Sequence, residues 1–337
     1  MTSAGEGIGV SGQLMGGQEE SAVTPRCLQR QKDCPCFKKP GTSGVATNEA
    51  FESYYEEIWR ERWPHLKESL LNTRRNARRW NQFGCQTAPK EIPCPGLRSW
   101  CDVSDSIPEP SFSSSGVKDH YPMDLASILA AEALEARPGE TVVDLCAAPG
   151  GKSLILAEEM KLQGELLLND LSRTRREKLK GILTDYLPEG GKGFITVTGR
   201  DAAKWGMQNK DRFDRILLDA PCSSERHVMH DAAALAEWTP ARPRQLAKRE
   251  YALLCSALLA LKPGGRVVYS TCSIAKAEND DVIERLLKRK NEASVERPQP
   301  EPAMGEPTPF GWQILPDKTG WGPIYFAIIE KARPLQT

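Results

Sequence analysis

Apolar and aromatic residues early in the chain recur at spacings of three and four: Phe51, Tyr54, Tyr55, Ile58 and Trp59, then Leu66, Leu70 and Leu71. That period predicts helix over residues 50–82, broken into two at Pro64 because a proline ring does not fit a helix interior. Residues 84–118 hold five prolines and a serine-rich run, and read as a loop-rich connector. From Tyr121 the pattern changes. A helix is expected at Met123–Ala136, ending before Pro138-Gly139. Strands are predicted at Thr141–Leu145, Glu165–Asn169, Phe194–Thr198, Phe213–Asp219 and Arg266–Thr271. Helical stretches fall near 151–161, 172–187, 244–262 and 276–291. Such alternation predicts a parallel sheet covered on both faces. Two further strands, Gly311–Leu315 and Ile324–Ile329, have no helical pattern between them and should pair as a hairpin. Residues 1–48 are rich in Gly, Ser, Thr and Gln with few apolar anchors, so disorder is expected there. The organisation expected is a disordered segment 1–48, a helical and loop-rich region 49–118, and an α/β domain 119–333.

Composition narrows the class without naming it. With 39% hydrophobic and 27% charged residues, a collagen, a coiled coil and a wholly disordered chain are excluded. Lys+Arg 45 balance Asp+Glu 45, so any case for a nucleic-acid partner rests on local patches. Two exist. Residues 60–79 carry Arg60, Arg62, Lys67, Arg74, Arg75, Arg78 and Arg79 against Glu61 and Glu68. Residues 242–250 carry Arg242, Arg244, Lys248 and Arg249 against Glu250. Each reads equally well as a set of phosphate contacts or as a solvated helix face. The longest mostly apolar stretch, Tyr251 to Leu261, is too short to span a bilayer, so a soluble protein with no membrane partner is expected. Ten cysteines are too sparse for a disulfide scaffold, and any that do chemistry should do it as thiols. Cys27, Cys34 and Cys36 lack a second Cys or His pair nearby and read as incidental, so no metal is expected. Glu6, Glu19 and Glu20 precede the first basic residue, Arg26, and no targeting signal is visible.

The residues able to carry chemistry cluster at predicted strand ends. The first strand runs into Asp144-Leu-Cys-Ala-Ala-Pro-Gly-Gly-Lys152, where small residues let backbone approach a ligand at the mouth of the next helix. A P-loop would need glycine where Cys146 stands, and no G-x-G-x-x-G turn is present. The remaining reading is a site for an amino acid joined to an adenosine. Asp170 ends the second strand, placed either to hold ribose hydroxyls or to cap the following helix. Asp201, after the third, is similarly a cap or an adenine contact. The fourth strand leaves Asp219 and Cys222 at its carboxyl end, and the fifth delivers Cys272 to the same edge. Ligands of open parallel sheets bind outside that edge, so both thiols should converge on one pocket. Cys146 and Cys255 read as core residues.

Asp144–Lys152, Asp219-Ala-Pro-Cys222 and Ser270-Thr-Cys-Ser273 together resemble the signature set of the NOP/SUN-type RNA cytosine-5 methyltransferases, over roughly residues 50–337. The flanks His120–Ile128, Asp201 with Lys204-Trp-Gly206, Glu225-Arg-His227 and Gly322-Pro-Ile-Tyr325 are most similar to the short mitochondrial ribosomal-RNA branch, and next to the mitochondrial transfer-RNA branch. The chain departs from bacterial and nucleolar relatives in lacking a glycine after Asp-Ala-Pro-Cys-Ser and in lacking an added RNA-binding domain. The resemblance implies a Rossmann-like methyltransferase fold: a seven-stranded, mostly parallel sheet with a closing antiparallel hairpin, preceded by a small helical region. It implies methylation of carbon 5 of cytosine in RNA, with mitochondrial small-subunit ribosomal RNA as target and a mitochondrial tRNA as the alternative. It gives Cys272 the attack on carbon 6, Cys222 the release of the methylated base, and Asp219 a hydrogen bond to the cytosine ring. It places Gly150, Gly151, Lys152, Asp170, Arg175 and Asp201 in an S-adenosylmethionine pocket, with Asp219 bordering both ligands. A mitochondrial location and a helical-repeat protein partner follow from the same likeness. Enzymes that methylate cytosine in DNA attack with the Cys of a Pro-Cys motif, here Cys222, and the residues alone leave that choice open. A non-catalytic RNA-binding assembly factor on the same fold is the rival from another class.

Overall fold

The computed structural model describes residues 44–333 apart from 73–74, 86–93, 95, 105 and 192, with side chains of the first helix from residue 49 onward. Cys27, Cys34 and Cys36 and most of the segment expected to be disordered lie outside the described residues. Helix α1 (Gly44–Trp59) begins ahead of the boundary expected at residue 49. It buries Phe51 and Tyr55 against Trp63 and Trp238, with ring centroids 5.0 Å apart for Phe51 and Trp238. The break falls at Arg60, in the left-handed region with φ 49°, rather than at Pro64. Pro64 instead occupies the first turn of α2 (Trp63–Leu71), where an absent N–H costs nothing.

Residues 72–82 do not continue the helix as the spacing predicted. Their described part holds strand β1 (Ala77–Trp80), paired with β2 (Cys101–Asp102) and β3 (His120–Met123). Ala77 and Arg79 face inward while Arg78 and Trp80 alternate outward, a period of two too short to be legible beside the longer helical pattern. Met123 likewise belongs to β3, and α3 (Leu125–Glu132) starts only after Asp124, whose carboxylate caps it by accepting from the Ala126 N–H at 2.8 Å.

The main sheet follows: β4 (Thr141–Asp144), α4 (Gly151–Glu159), β5 (Glu165–Asn169), α5 (Arg173–Tyr186) and β6 (Ile195–Thr198). After short α6 (Trp205–Gln208) come β7 (Phe213–Asp219), α7 (Glu225–His230), α8 (Ala232–Ala236), α9 (Ala241–Ala260) and β8 (Leu261–Thr271). The chain closes with α10 (Asp280–Leu287), β9 (Ala293–Glu296), β10 (Glu306–Pro307), β11 (Trp312–Ile314), α11 (Pro316–Thr319) and β12 (Ile324–Lys331). The five parallel strands lie in the order β6-β5-β4-β7-β8, β12 runs antiparallel beside β8, and β11 pairs antiparallel with β12. All seven expected strands form; β9 and β10 add to the antiparallel edge, and α11 sits within the hairpin connection.

Central strands carry unbroken aliphatic runs because both faces are covered. Val142, Leu166, Leu168 and Leu217 pack with α3, α4 and α5 on one side. Val143, Leu167, Ile216, Leu218 and Tyr269 pack with α9 and α10 on the other. A third cluster joins α1 and α2 to Val228, Trp238, Ile274 and Leu315, so residues from Gly44 onward make one compact unit. The strand order reverses between β4 and β7, which opens a crevice at the carboxyl edge there.

Candidate active site

Asp219 and Ser270 are register partners on β7 and β8, so the segments leaving these strands run side by side. Cys222 and Cys272, 50 residues apart in sequence, therefore meet with their sulfurs 3.0 Å apart, both as free thiols. The Cys272 backbone N–H donates to the Cys222 sulfur at 3.3 Å, and the Ser224 hydroxyl lies 2.9 Å from the Cys272 sulfur. These contacts divide the two thiols. The hydrogen bond with Cys222, joined by that with Ser224, lowers the Cys272 thiol against the opposing effect of burial. The same sulfur pair, together with burial, pushes Cys222 well above the usual thiol range. Cys272 is thus the readier thiolate and Cys222 the thiol that supports it.

Asp219 stands beside them. Its carboxylate accepts from Lys152 Nζ at 2.8 Å and from Ser270 Oγ at 2.7 Å. Burial alone would lower the Lys152 ammonium, but Asp219 more than offsets it and the net shift is upward. Asp144, buried at the end of β4, accepts from Ser153 Oγ at 2.7 Å, and burial raises its carboxyl to about 7. Gly150 makes the turn into α4 at φ 126°, where a Cβ would also press on Leu179 at 3.0 Å. Asp170 accepts from the Ser172 N–H at 2.9 Å and pairs with Arg175 at 3.2 Å, while Arg175 donates to the Ala148 carbonyl. Ser172, not Asp170, caps α5. Asp201 does cap a short turn, accepting from the Ala203 N–H at 3.1 Å, and still borders the crevice.

Three adjoining cavities line this edge. One of about 1000 Å³ holds Lys152, Asp219, Cys222, Ser224 and Cys272, walled by Asn72, Arg226, His227, His230 and Pro323. A second, about 360 Å³, is lined by Asn169, Asp170, Leu171, Arg175, Asp201 and Pro221. A third, about 220 Å³, holds Tyr121, Asp144, Gly151, Lys152 and Asp219. Arg175 and Pro221 belong to both the first and second, and Lys152 and Asp219 to both the first and third. The structure therefore brings Gly151, Lys152, Asp170, Arg175, Asp201, Asp219, Cys222 and Cys272 to one continuous crevice, with Gly150 shaping its turn. Cys146 is a correction: it packs at the margin of the core and also lines two of these cavities. Cys255 does pack against the core, half-buried.

Beneath the thiols lies a buried polar network that sequence reasoning missed. The Ser223 hydroxyl lies between Glu225 and Glu278 within hydrogen-bond reach of both, and the Ser273 hydroxyl lies 3.0 Å from each of the same two carboxylates. Tyr55 of α1 donates to Glu225 at 2.5 Å, and the Ile274 and Ser223 N–H groups reach Glu225 and Glu278 at 3.0 and 2.8 Å. Burial, then Glu225 beside it, raises Glu278 to about 7. The cavity wall of His227 and His230 carried one available signal: two of the chain's four histidines stand three apart just after Cys222.

Four of the six described cations of the first basic segment form ion pairs within the protein. Arg62 pairs with Asp317 and Glu306, Lys67 with Glu52, Arg78 with Asp102, and Arg79 with Glu158 at 2.7 Å with both partners buried. Arg75 stacks over Trp321 at 4.7 Å, Arg60 is exposed, and Arg74 lies outside the described residues. In the second segment Arg244, Lys248 and Arg249 are exposed, and Arg249 also lines the 360 Å³ cavity.

A family model described as 16S rRNA methyltransferase RsmB/F matches residues 131–330. The chain is 34% identical over 312 residues to the 5-cytosine rRNA methyltransferase NSUN4 of Bos taurus, covering 79% of this chain and 80% of that one. It is 34% identical over 253 residues to the mitochondrial tRNA (cytosine(34)-C(5))-methyltransferase of Mus musculus, covering 72% and 71%. Among solved structures, a methyltransferase homolog protein from Pyrococcus horikoshii superposes with a TM-score of 0.67 at 24% identity, over 87% of this chain and all of that one. NSun6 from Pyrococcus horikoshii with SFG superposes with a TM-score of 0.68 at 18% identity, over 85% and 98%. Both share the Rossmann-like methyltransferase fold.

Proposed function

This chain belongs to the 16S rRNA methyltransferase RsmB/F family, and on that premise we propose that it methylates carbon 5 of cytosine in mitochondrial small-subunit ribosomal RNA, with Cys272 as the attacking thiol. The observation that carries the residue roles is the 3.0 Å sulfur pair, in which Cys272 is the lowered thiol and Cys222 the raised one.

S-adenosylmethionine, when bound, supplies an electrophilic methyl group. The residues present fit it: carboxylates at the ends of β5 and β6, Asp170 and Asp201, share a cavity with apolar Leu171 and Pro221, as a ribose joined to a flat base requires. Gly150 and Gly151 bring backbone close, and Lys152 and Arg175 border the passage towards the thiols. Carbon 5 of cytosine is a weak nucleophile. Addition of the Cys272 thiolate to carbon 6 forms a carbon–sulfur bond and moves the ring's π pair towards carbon 5, which becomes enamine-like. Asp219, held by Lys152 and Ser270, orients the base edge by hydrogen bonding, and the Lys152 ammonium beside it offsets the negative charge that develops on the ring. With the methyl group on carbon 5, the carbon 5 proton would pass to solvent, its C–H pair would restore the 5,6 double bond, and the carbon–sulfur pair would return to the Cys272 sulfur as that bond breaks. Cys222, adjacent, assists that release.

One denaturing gel tests these roles with wild type, Cys272→Ala, Cys222→Ala and the double mutant incubated with RNA and cofactor. Cys222→Ala should accumulate a slow-migrating covalent protein–RNA complex, absent in the other two mutants. The reverse pattern would make Cys222 the nucleophile. Lowered stability with no adduct from either single mutant would make both thiols structural.

The tRNA reading rests on the equal identity to the mouse tRNA enzyme, and preferential methyl transfer to tRNA over small-subunit ribosomal RNA would establish it. That relative's mitochondrial name supports a mitochondrial location, which import into isolated mitochondria tests. A helical-repeat protein partner is proposed on the sequence resemblance alone, and co-purification from mitochondria would identify it.

A further inference from the structure

Ser224 breaks two local rules at once. Its backbone lies in the left-handed region, φ 54° and ψ 61°, where a side chain other than glycine's is strained. It also occupies the N-cap of α7, a position where serine ordinarily accepts a hydrogen bond from the first helical turn, yet its side chain makes no such bond. The hydroxyl is turned instead to the sulfurs, 2.9 Å from Cys272 and 3.7 Å from Cys222, on the wall of the 1000 Å³ cavity. Its neighbour Ser223 points the other way, into the buried carboxylates. A residue that forgoes its cap and accepts strain to touch a thiol is placed for that thiol.

We infer that Ser224 is a catalytic residue of this enzyme, whose O–H donates a hydrogen bond to the sulfur of Cys272. The inference rests on the reading of Cys272 as nucleophile. The donated bond favours the charged sulfur, which serves the reaction twice. It enlarges the thiolate fraction before attack on carbon 6. It also stabilises the Cys272 sulfur as that sulfur takes back the electron pair when the carbon–sulfur bond breaks. The lowered Cys272 thiol agrees with this placement, with Ser224 acting beside Cys222.

The test measures alkylation of the full chain by iodoacetamide across pH, read separately at each cysteine by mass spectrometry. Trypsin leaves Cys272 in peptide 267–276 and Cys222 in peptide 216–226. Ser224→Gly removes the hydroxyl and relieves the backbone, and Ser224→Ala removes only the hydroxyl. Both should raise the pH midpoint at Cys272 and slow its alkylation at pH 7 by about three- to tenfold, as expected for a thiolate that loses a donor. Ser224→Gly should melt no lower than wild type. An unchanged midpoint in both variants overturns the inference. So does a shift in Ser224→Gly without one in Ser224→Ala, which would trace the effect to the backbone. The readout needs no methyl transfer, so a failure of Cys272 as nucleophile, seen as methylation by Cys272→Ala, remains distinguishable from a failure of Ser224.

Discussion

At the β4–β5 end of the sheet edge, the continuous segment Asp144–Lys152 supplies the turn, the helix start, Asp144 and Lys152, and Asp170 follows one strand later. At the β7–β8 end the two thiols come from positions 50 apart, and what holds them reaches back through Glu225 to Tyr55, 170 residues away. The first region is local: buried Asp144 accepts from Ser153 Oγ, and Asp170 accepts from the Ser172 N–H and pairs with a partly exposed Arg175. The second is distributed and deep, with Ser223, Ser273, Glu225 and Glu278 all buried. The cofactor site proposed above draws on short segments that follow successive strand ends. A pair of thiols at contact distance needs two loops fixed to each other, and that task falls to residues far from the motif.

The contrast is open to attack at four points. The largest effect is expected where the regions meet: Asp219→Asn should lower methyl transfer at saturating cofactor by about 10²–10³-fold, the scale of losing one electrostatic partner of the reaction. A loss confined to cofactor affinity would move Asp219 wholly into the cofactor region. Next, Asp170→Ala should weaken S-adenosylmethionine about 10- to 100-fold by calorimetry, with the far-ultraviolet circular dichroism unchanged because Ser172 caps α5. Collapse of that spectrum would give Asp170 a structural role. In the deep region Ser223→Ala should cost about 1–3 kcal/mol in urea unfolding, since it removes a buried donor shared between two buried carboxylates. A cost no larger than that of a surface serine would make the network incidental.

The smallest effect concerns pH. Glu250 on α9 is fully buried, and burial, then Glu278, raises its carboxyl to about 11. An unfolded glutamate ionises near 4.3. The stability that protonated Glu250 contributes is therefore complete below about pH 4.3 and declines as pH rises towards about 11. Glu250→Gln stays neutral and escapes that decline. Its stability relative to wild type should grow by about 1 kcal/mol from pH 6 to pH 7 in denaturant titrations. A difference that does not change with pH would show Glu250 to be ionised in the native protein.

The legibility of the two regions follows the same division. Every parallel strand of the main sheet was visible because strands buried on both faces must be aliphatic, and Glu165–Asn169 and Phe213–Asp219 form with the predicted bounds. The segment Asp144–Lys152 was visible because glycine and small residues are required where backbone turns into a helix facing a ligand. β1 was not, since four alternating residues beside long helices give no separable period. The basic run at 60–79 could be read as phosphate contacts or as a solvated face because charge in a sequence does not show its partner; Arg79 is neither solvated nor free, lying buried on Glu158.

Periodicity and motif content determined by themselves that this chain builds a Rossmann-like sheet with acids and thiols at one edge, because burial and turn geometry act over a few residues at a time. Only the tertiary structure decided which thiol is lowered, that Ser224 rather than Ser223 faces it, and that Glu225 and Glu278 lie beneath. Those are matters of distance between atoms on separate loops, and the shift of an ionisable group depends on the groups packed around it, wherever in the chain they arise.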